Sequence, residues 1–154
     1  MRLKSTNMII RNNALVDSSF LFTLNSPTDV NRPLTQRVIY MTMMQYFVPD
    51  VVLSEVTYML RARVGQQAVI QFLMTFSKSP FTLVPVLKED LTRAGQVMQK
   101  YRESDLDFVD CCLVALAERL NITHICTFDE RDFRKIVPDH APYITILPRF
   151  NINL

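Results

Sequence analysis

Short apolar runs alternate with longer helix-like segments along this chain. The runs at residues 14–16, 124–128 and 143–147 have the length of buried strands. Between such runs lie segments with an apolar residue every three or four positions, of which residues 108–120 are the clearest. Strands that alternate with helices pack as a parallel sheet covered by helices. The pattern therefore predicts an α/β domain with a central, mainly parallel sheet.

Capping, proline and glycine signals place the other elements. Ser18 and Ser19 offer N-cap chemistry for a helix that begins at Phe20, and residues 25–33 are loop-like. A further strand-like run covers residues 81–86, and a proline marks its end or an edge position. The remaining helices are predicted over residues 34–47, 51–63, 67–76, 88–101 and 108–120.

Length and composition indicate one globular domain. A chain of 154 residues with 49% hydrophobic and 21% charged residues is long enough to bury a core of its own. Its net charge of +2 is too small to indicate a nucleic-acid-binding protein by itself. The three cysteines lack CxxC spacing, which favours reduced thiols. The apolar run at residues 8–10 is too short for a signal peptide or a membrane span, so we expect a soluble cytoplasmic protein.

Four acids lie where a carboxylate is expected to be partly buried. Asp17 and Asp129 each follow a strand-like run, and the carboxyl ends of parallel strands form the ligand crevice of α/β folds. Glu55 and Asp110 have apolar residues three and four positions away, which share their face of a helix. All four side chains are therefore predicted to face inward.

Each of these acids also has a simpler interpretation. Asp17 and Asp129 are suitable turn or N-cap residues, Glu55 is long enough to reach solvent, and Asp110 could pair with an arginine such as Arg119 or Arg131. Four inward carboxylates without an inward histidine would nevertheless repel one another, and a divalent cation relieves such repulsion. All-oxygen ligation favours Mg²⁺ or Mn²⁺ over zinc.

Four segments, in order along the chain, resemble motifs of the PIN-domain family and, within it, of VapC-type toxins from bacterial toxin–antitoxin pairs. They are ALVDSS at 14–19, VVLSEVTYMLRARVG at 51–65, LDFVDCCLVALAERLNI at 106–122 and ICTFDERDF at 125–133. The last two together are the most specific. The resemblance implies a three-layer α/β/α fold and a metal-dependent endoribonuclease that acts on RNA, with Mg²⁺ or Mn²⁺ as cofactor. It also implies an antitoxin partner and a homodimer, with no membrane association.

The resemblance assigns roles to individual residues. It makes Asp17, Glu55, Asp110 and Asp129 the catalytic and metal-binding acids. Supporting positions near them are Ser19, Thr127 and Asp132, whereas Asp107 is better explained as an acid favoured by a helix N-terminus. Five basic residues near the motifs are candidate contacts to RNA phosphates, with ordinary surface charge as the competing interpretation for at least half of them: Arg61, Arg63, Arg131, Arg134 and Lys135.

The domain limits and the competing functions complete the predictions. We expect an N-terminal extension over residues 1–12, a single PIN-like domain over 13–150 and a tail over 151–154. Besides the toxin, the candidates are an RNA-processing nuclease outside a toxin system and a catalytically silent metal-binding interaction module. A receiver-like phosphoacceptor fits poorly, because serines instead of a second acid follow Asp17 and no lysine follows the last strand.

Overall fold

The computed structural model describes residues 12–148 and contains a five-stranded sheet. Its strands are β1 (Asn13–Val16), β2 (Gln45–Pro49), β3 (Thr82–Val84), β4 (His124–Cys126) and β5 (Thr145–Leu147). The helices are α1 (Ser18–Asn25), α2 (Arg32–Met41), α3 (Asp50–Arg63), α4 (Gln66–Phe76), α5 (Lys88–Lys100), α6 (Phe108–Leu120) and α7 (Glu130–Phe133). The predicted α/β architecture is therefore confirmed.

All neighbouring strands run parallel, in the order β3-β2-β1-β4-β5. The chain moves from β1 outward to β2 and β3, and then crosses to β4 on the other side of β1. Connections between parallel strands are right-handed, so this reversal places α1 to α4 on one face and α5 and α6 on the opposite face. The result is the predicted three-layer α/β/α arrangement.

The same reversal creates a crevice at the carboxyl ends of β1 and β4. Val16 is paired with Cys126, so Asp17 and Thr127 leave their strands at the same level. In open α/β sheets, ligands bind where the strand order reverses in this way. The topology therefore brings together residues that are far apart in the sequence.

Helix α6 lies in the centre of the core. Its residues from Val109 to Ala117 are all buried, and Asp110 is among them. A helix that is apolar on every side is buried on every side, and each fully buried large side chain contributes about 1.5–3 kcal/mol. The packing that holds α6 in place therefore also holds Asp110 away from bulk solvent.

One predicted helix is wrong over its second half. The structure ends α2 at Met41, where Thr42 Oγ1 donates to Val38 O at 2.8 Å, and residues 45–49 form β2 instead. The physical reason is that β2 pairs with strands on both sides, which local periodicity does not reveal.

The N-cap of the first helix is Asp17, whose side chain accepts from Ser18 N, so the predicted serine cap is also wrong. The short helix α7 was not predicted.

The other predicted helices and strands are present with ends shifted by at most a few residues. Cys111, Cys112 and Cys126 are free and buried. Within the described part of the chain, no helix is long and apolar enough to cross a membrane. The predicted tail at 151–154, and all but the last residue of the predicted extension at 1–12, lie outside the described residues.

Candidate active site

Asp17 is the most firmly held acid of the crevice. It directly follows β1, is 4% exposed, and caps α1 by accepting from Ser18 N at 2.7 Å through Oδ1. Its second oxygen, Oδ2, accepts from Thr127 Oγ1 at 2.7 Å, while its backbone N donates to Cys126 O at 2.9 Å. The N-cap interpretation is thus correct for Asp17. The cap also orients a carboxylate that is buried at the carboxyl end of the central strand β1.

Ser19 and Thr127 connect the start of α1 to the loop after β4. Ser19 Oγ lies 3.3 Å from Asp17 Oδ2 and 3.1 Å from Thr127 Oγ1, and it accepts from Phe128 N at 3.0 Å. Thr127 Oγ1 accepts from Asp129 N at 3.0 Å. The structure thus places both predicted hydroxyl residues in direct contact with Asp17, and Asp129 is held beside them by its backbone.

Asp110 occupies the third position of α6 and faces the core. It is 8% exposed, and Leu106, Leu113 and Val114 around it are buried as well. Its Oδ2 accepts from Asp107 N at 3.1 Å, and its own backbone N donates to Asp107 Oδ1 at 2.9 Å. This reciprocal capping box fixes the rotamer of Asp110. The exposed Asp107 is therefore the helix N-cap, in line with its predicted position at a helix N-terminus.

The alternative in which Arg119 neutralises Asp110 is wrong. Arg119 Nε lies 2.8 Å from Asp90 Oδ1, and Arg119 Nη2 donates to Pro85 O at 3.0 Å. Both contacts hold the last turn of α6 against the start of α5. Asp110 lies in the first turn of the same helix, so Arg119 contacts residues at the other end of α6 from Asp110.

The four predicted acids interact electrostatically as one acid cluster, a name we use for Asp17, Glu55, Asp110 and Asp129. Burial raises the pKa of Asp17 above 3.8 against the hydrogen bonds from Thr127 and Ser18, and the charge of Glu55 adds to the increase. Burial raises the pKa of Asp110 to about 8; the backbone hydrogen bond from Asp107 opposes this, while the charges of Asp107, Asp17 and Asp129 contribute to it. The cluster therefore holds repelling carboxylates.

Glu55 and Asp129 are the more accessible members of the acid cluster. Glu55 is half-buried on α3 and lines an open groove with Ser54, Tyr58 and Met59. Tyr58 is 75% exposed, so this side of α3 reaches solvent, and the prediction that Glu55 faces inward is correct only in part. Asp129 is exposed at the start of α7, so the prediction that its side chain faces inward is wrong. Burial and the charge of Asp132 raise its pKa, and the charge of Arg131 opposes them.

The donor chemistry of the acid cluster fits a hard divalent cation. Among residues 12–148, no three side chains of the His, Cys, Asp or Glu type converge closely enough to hold an ion by themselves. Mg²⁺, however, usually keeps several water ligands and binds proteins through one or two carboxylates. Acids whose pKa is raised first by burial and then by neighbouring negative charges, as in Asp17 and Asp110, are stabilised by such a charge. Which of the four bind it stays a prediction.

The remaining predicted residues lie around the cluster with different partners. Asp132 is buried, its charge acts on Asp129, and its Oδ1 lies 3.8 Å from Lys135 Nζ. Arg134 forms an ion pair with Glu130. Arg61 and Arg63 are exposed in the last turn of α3, about two turns beyond Glu55, and the Arg63 guanidinium lies 5.4 Å from the centroid of the Phe22 ring.

Two residues contribute to the site in ways that the sequence did not indicate: Ser18 was predicted only as a helix cap, and Asp107 only as an acid at a helix N-terminus. Ser18 donates to Asp17 through its backbone N at 2.7 Å and lies 3.3 Å from Asp17 Oδ1 through its hydroxyl. Asp107 adds negative charge that raises the pKa of both Asp110 and Asp129. The S/T/D-x-x-D spacing of Asp107 and Asp110 was the available signal for the capping box.

Comparison with known proteins identifies the family. The model of the PIN domain matches residues 14–137, so this chain belongs to the PIN-domain family. Ribonuclease VapC26 of Mycobacterium tuberculosis (strain ATCC 25618 / H37Rv) is 26% identical over 97 residues, which cover 63% of this chain and 72% of that protein. The resemblance inferred from the four sequence segments is thereby confirmed.

Several solved structures share the fold. The crystal structure of Mycobacterium tuberculosis VapC20, described as a sarcin-ricin loop cleaving toxin, superposes with a TM-score of 0.71 at 20% identity, covering 77% of this chain and 91% of that chain. A toxin–antitoxin complex from Klebsiella pneumoniae gives a TM-score of 0.64 at 20% identity, covering 85% and 98%. VapBC2 from Rickettsia felis, bound to a promoter DNA fragment, gives 0.65 at 10% identity, covering 87% and 96%.

Proposed function

We propose that this protein is a metal-dependent endoribonuclease and the toxin of a type II toxin–antitoxin pair, acting in the cytoplasm. The observation that carries the proposal is the acid cluster at the carboxyl ends of β1 and β4. There Asp17 accepts a hydrogen bond from Thr127, and the charge of Asp17 contributes to the raised pKa of Asp110. The relation to Ribonuclease VapC26 and the fold shared with VapC20 support RNA as the substrate.

Asp17, Glu55, Asp110 and Asp129 would hold Mg²⁺ or Mn²⁺. The ion would supply positive charge to the scissile phosphate and lower the pKa of a bound water. The chain itself supplies orientation: Thr127 and the backbone of Ser18 hold the Asp17 carboxylate, and Asp107 holds Asp110 through the capping box. A fixed set of acids costs no reorganisation when RNA binds.

Basic residues on both sides of the cluster would draw RNA past the acids. Arg61, Arg63, Arg131, Arg134 and Lys135 are all exposed. Cations at the surface contact phosphates without reading sequence, and they position a strand rather than select it. Lys135 and Arg134 already have acidic partners, Asp132 and Glu130, so ordinary surface charge remains the competing interpretation for these two.

The proposed partners follow from the relatives. The structure from Klebsiella pneumoniae that shares this fold is described as a toxin–antitoxin complex, which supports an antitoxin partner for this chain. A homodimer is part of the same proposal. A neighbouring short gene that encodes a DNA-binding protein would support the toxin role, whereas its absence would favour an RNA-processing nuclease.

The test is cleavage of single-stranded and structured RNA with Mg²⁺ or Mn²⁺, compared between the wild type and Asp17→Asn. We expect the wild type to cleave, EDTA to abolish cleavage, and Asp17→Asn to lose at least about a hundredfold in rate, because a ligand charge is removed. Asp139→Asn is the matched control. That carboxylate is 69% exposed and forms an ion pair with Arg93 of α5, and Asp139 lies near the last turn of α6. Equal activity of wild type and Asp17→Asn would remove the proposed site. Binding of Mn²⁺ without cleavage of any RNA would instead indicate a silent module.

A further inference from the structure

An open cavity of about 590 Å³ adjoins the acid cluster on the side of Asp129. It is lined by Phe128, Asp129, Glu130, Arg131 and Arg134. The volume lies within the range of small-ligand sites, and the lining combines an aromatic side chain with two cations. These are the groups that recognise a nucleotide, which offers a π-face and a phosphate.

Phe128 is supported from the core. Its ring stacks on that of Phe20, with centroids 6.1 Å apart and an angle of 20° between the planes. Phe20 is fully buried, whereas Phe128 is half-buried. The backbone N of Phe128 donates to Ser19 Oγ at 3.0 Å, and Ser19 Oγ lies 3.3 Å from Asp17 Oδ2. Phe128 is therefore held at a fixed place relative to the first acid.

Arg131 is the cation of this cavity that acts on the acid cluster. Arg134 is paired with Glu130, and the nearby Lys135 lies 3.8 Å from Asp132. Arg131 is exposed, and its positive charge opposes the effect of burial and of Asp132 on the pKa of Asp129. A phosphate that contacts Arg131 would consequently lie next to the acids.

We propose that this cavity is a nucleotide subsite, in which a base of single-stranded RNA stacks on Phe128 and its phosphate contacts Arg131. The base would extend the existing stack of Phe20 on Phe128. The inference rests on the proposed ribonuclease function and adds which parts of the RNA are recognised beside the acids. Every base has a π-face, so the subsite selects an unpaired nucleotide rather than a sequence. Paired bases are stacked within their helix and cannot enter.

The first experiment measures binding of a fluorescent single-stranded RNA by anisotropy, in an Asp17→Asn background and with EDTA present, so that cleavage does not interfere. Phe128→Leu keeps apolar packing against Phe20 but removes the ring, and we expect it to weaken binding about tenfold, in the range measured for loss of one stacked base. Phe128→Tyr keeps the ring and should stay within about twofold of the parent. Tyr40→Ala is the control, because Tyr40 is an 83% exposed aromatic residue on α2. Thermal melting identifies any variant that fails to fold.

The second experiment separates the stacking contact from the phosphate contact. Arg131→Ala removes one phosphate contact, so the slope of log affinity against log salt should become shallower by about 0.7. Phe128→Leu should leave that slope unchanged while lowering affinity. Arg102→Ala, which removes a 71% exposed arginine in the turn after α5, should change neither quantity. A series of RNAs, each with one abasic nucleotide at a different position, tests the same contact. The parent should bind one of these RNAs more weakly than the intact RNA because the stacked base is missing. Phe128→Leu should bind that abasic RNA and the intact RNA equally well.

The outcomes distinguish the subsite from the nuclease. If the wild type cleaves RNA but Phe128→Leu binds it as the parent does, the subsite is wrong and the ribonuclease proposal stands. If Phe128→Leu loses the same affinity for duplex and single-stranded RNA, stacking of an unpaired base is wrong. If the wild type neither binds nor cleaves RNA, both proposals fall. Weakened binding by Phe128→Leu without any cleavage by the wild type supports the subsite and removes the nuclease.

Discussion

Thr127 Oγ1 donates a 2.7 Å hydrogen bond to Asp17 Oδ2, although 110 positions separate the two residues. They follow the paired strands β1 and β4, whose last residues Val16 and Cys126 lie opposite each other. The same hydroxyl accepts from Asp129 N at 3.0 Å. One side chain therefore fixes both the first acid of the cluster and the loop that carries the last.

Thr127→Val should lower both stability and activity. The substitution conserves shape but removes the donor to a carboxylate that is 4% exposed, and an unsatisfied buried acceptor costs about 1–3 kcal/mol. The hydrogen bond from Thr127 lowers the pKa of Asp17 against burial, so its loss should raise that pKa further. Urea unfolding at neutral pH and RNA cleavage measure the two effects. Thr127→Ser restores the hydroxyl and should recover both; a Val variant as stable and active as the wild type would contradict the assigned contact.

Asp110→Asn should stabilise the metal-free protein at alkaline pH. Burial raises the pKa of Asp110 from 3.8 to about 8, so between these values the folded protein holds a proton that the unfolded chain has lost. Stability therefore falls as the pH rises from about 4 to 8. Asn carries no charge and can still accept from Asp107 N. We expect Tm near pH 8 to rise by about 2–4 °C, the change that roughly 1 kcal/mol causes in a domain of this size.

The pH dependence itself checks this assignment. Near pH 4, where Asp110 is protonated in the folded protein, the wild type and Asp110→Asn should melt at nearly the same temperature. Asp139→Asn, at an exposed carboxylate, should follow the wild-type curve throughout. If the difference in Tm between Asp110→Asn and the wild type stayed constant from about pH 4 to 8, Asp110 would not be the buried titrating group.

Addition of Mg²⁺ or Mn²⁺ should stabilise the wild type. A ligand at about a hundred times its Kd contributes about 2.7 kcal/mol, which corresponds to roughly 5–10 °C in Tm for this size of domain. Asp17→Asn and Asp110→Asn should each lose most of the shift, because each removes a ligand charge from the acid cluster. Thermal melting with the metal ion, with and without EDTA, measures the rise in Tm. The Tm of Asp139→Asn should rise as much as that of the wild type. An undiminished shift in Asp17→Asn would place the bound ion elsewhere.

Arg119→Ala should destabilise the fold without touching the candidate site. Asp90 is 2% exposed and accepts from Arg119 Nε at 2.8 Å and from Leu87 N at 2.8 Å. Removal of one partner leaves a buried charge, which we expect to cost about 2–3 kcal/mol because Arg119 itself is 24% exposed. Urea unfolding measures the loss, and the double variant with Asp90→Asn should recover part of it. RNA cleavage per folded molecule should be unchanged, since Arg119 lies at the end of α6 opposite Asp110.

The error at residues 34–47 shows where local reasoning fails. The segment MMQYFVP has the apolar content of a helix or a buried strand, and short apolar runs do not distinguish the two. Its strand identity comes from backbone pairing: Gln45 lies opposite Asn13, and Phe47 opposite Thr82. That pairing depends on strands more than thirty residues away, so no local window contains it.

The acids of the site were recognisable for a chemical reason, but their environments were not. A carboxylate beside Leu106, Leu113 and Val114 is costly unless something compensates it, and the structure does bury Asp110. The same argument predicted that Glu55 faces inward, yet Glu55 is only half-buried and Tyr58 beside it is 75% exposed. Helical spacing tells which residues share a face; it does not tell which face the rest of the protein covers.

The sequence by itself determined the alternation of strands and helices, and with it a parallel α/β domain, because hydrophobic periodicity and capping act within one or two turns of chain. It also marked Asp17, Glu55, Asp110 and Asp129 as acids in unusual surroundings. Only the tertiary structure decided that Thr127 and Ser19 hold Asp17, that Arg119 neutralises Asp90, and that Phe128 lies on Phe20 beside the acids. Those contacts join segments brought together by the reversal of strand order between β1 and β4, and a contact across the fold leaves no periodic trace in the chain.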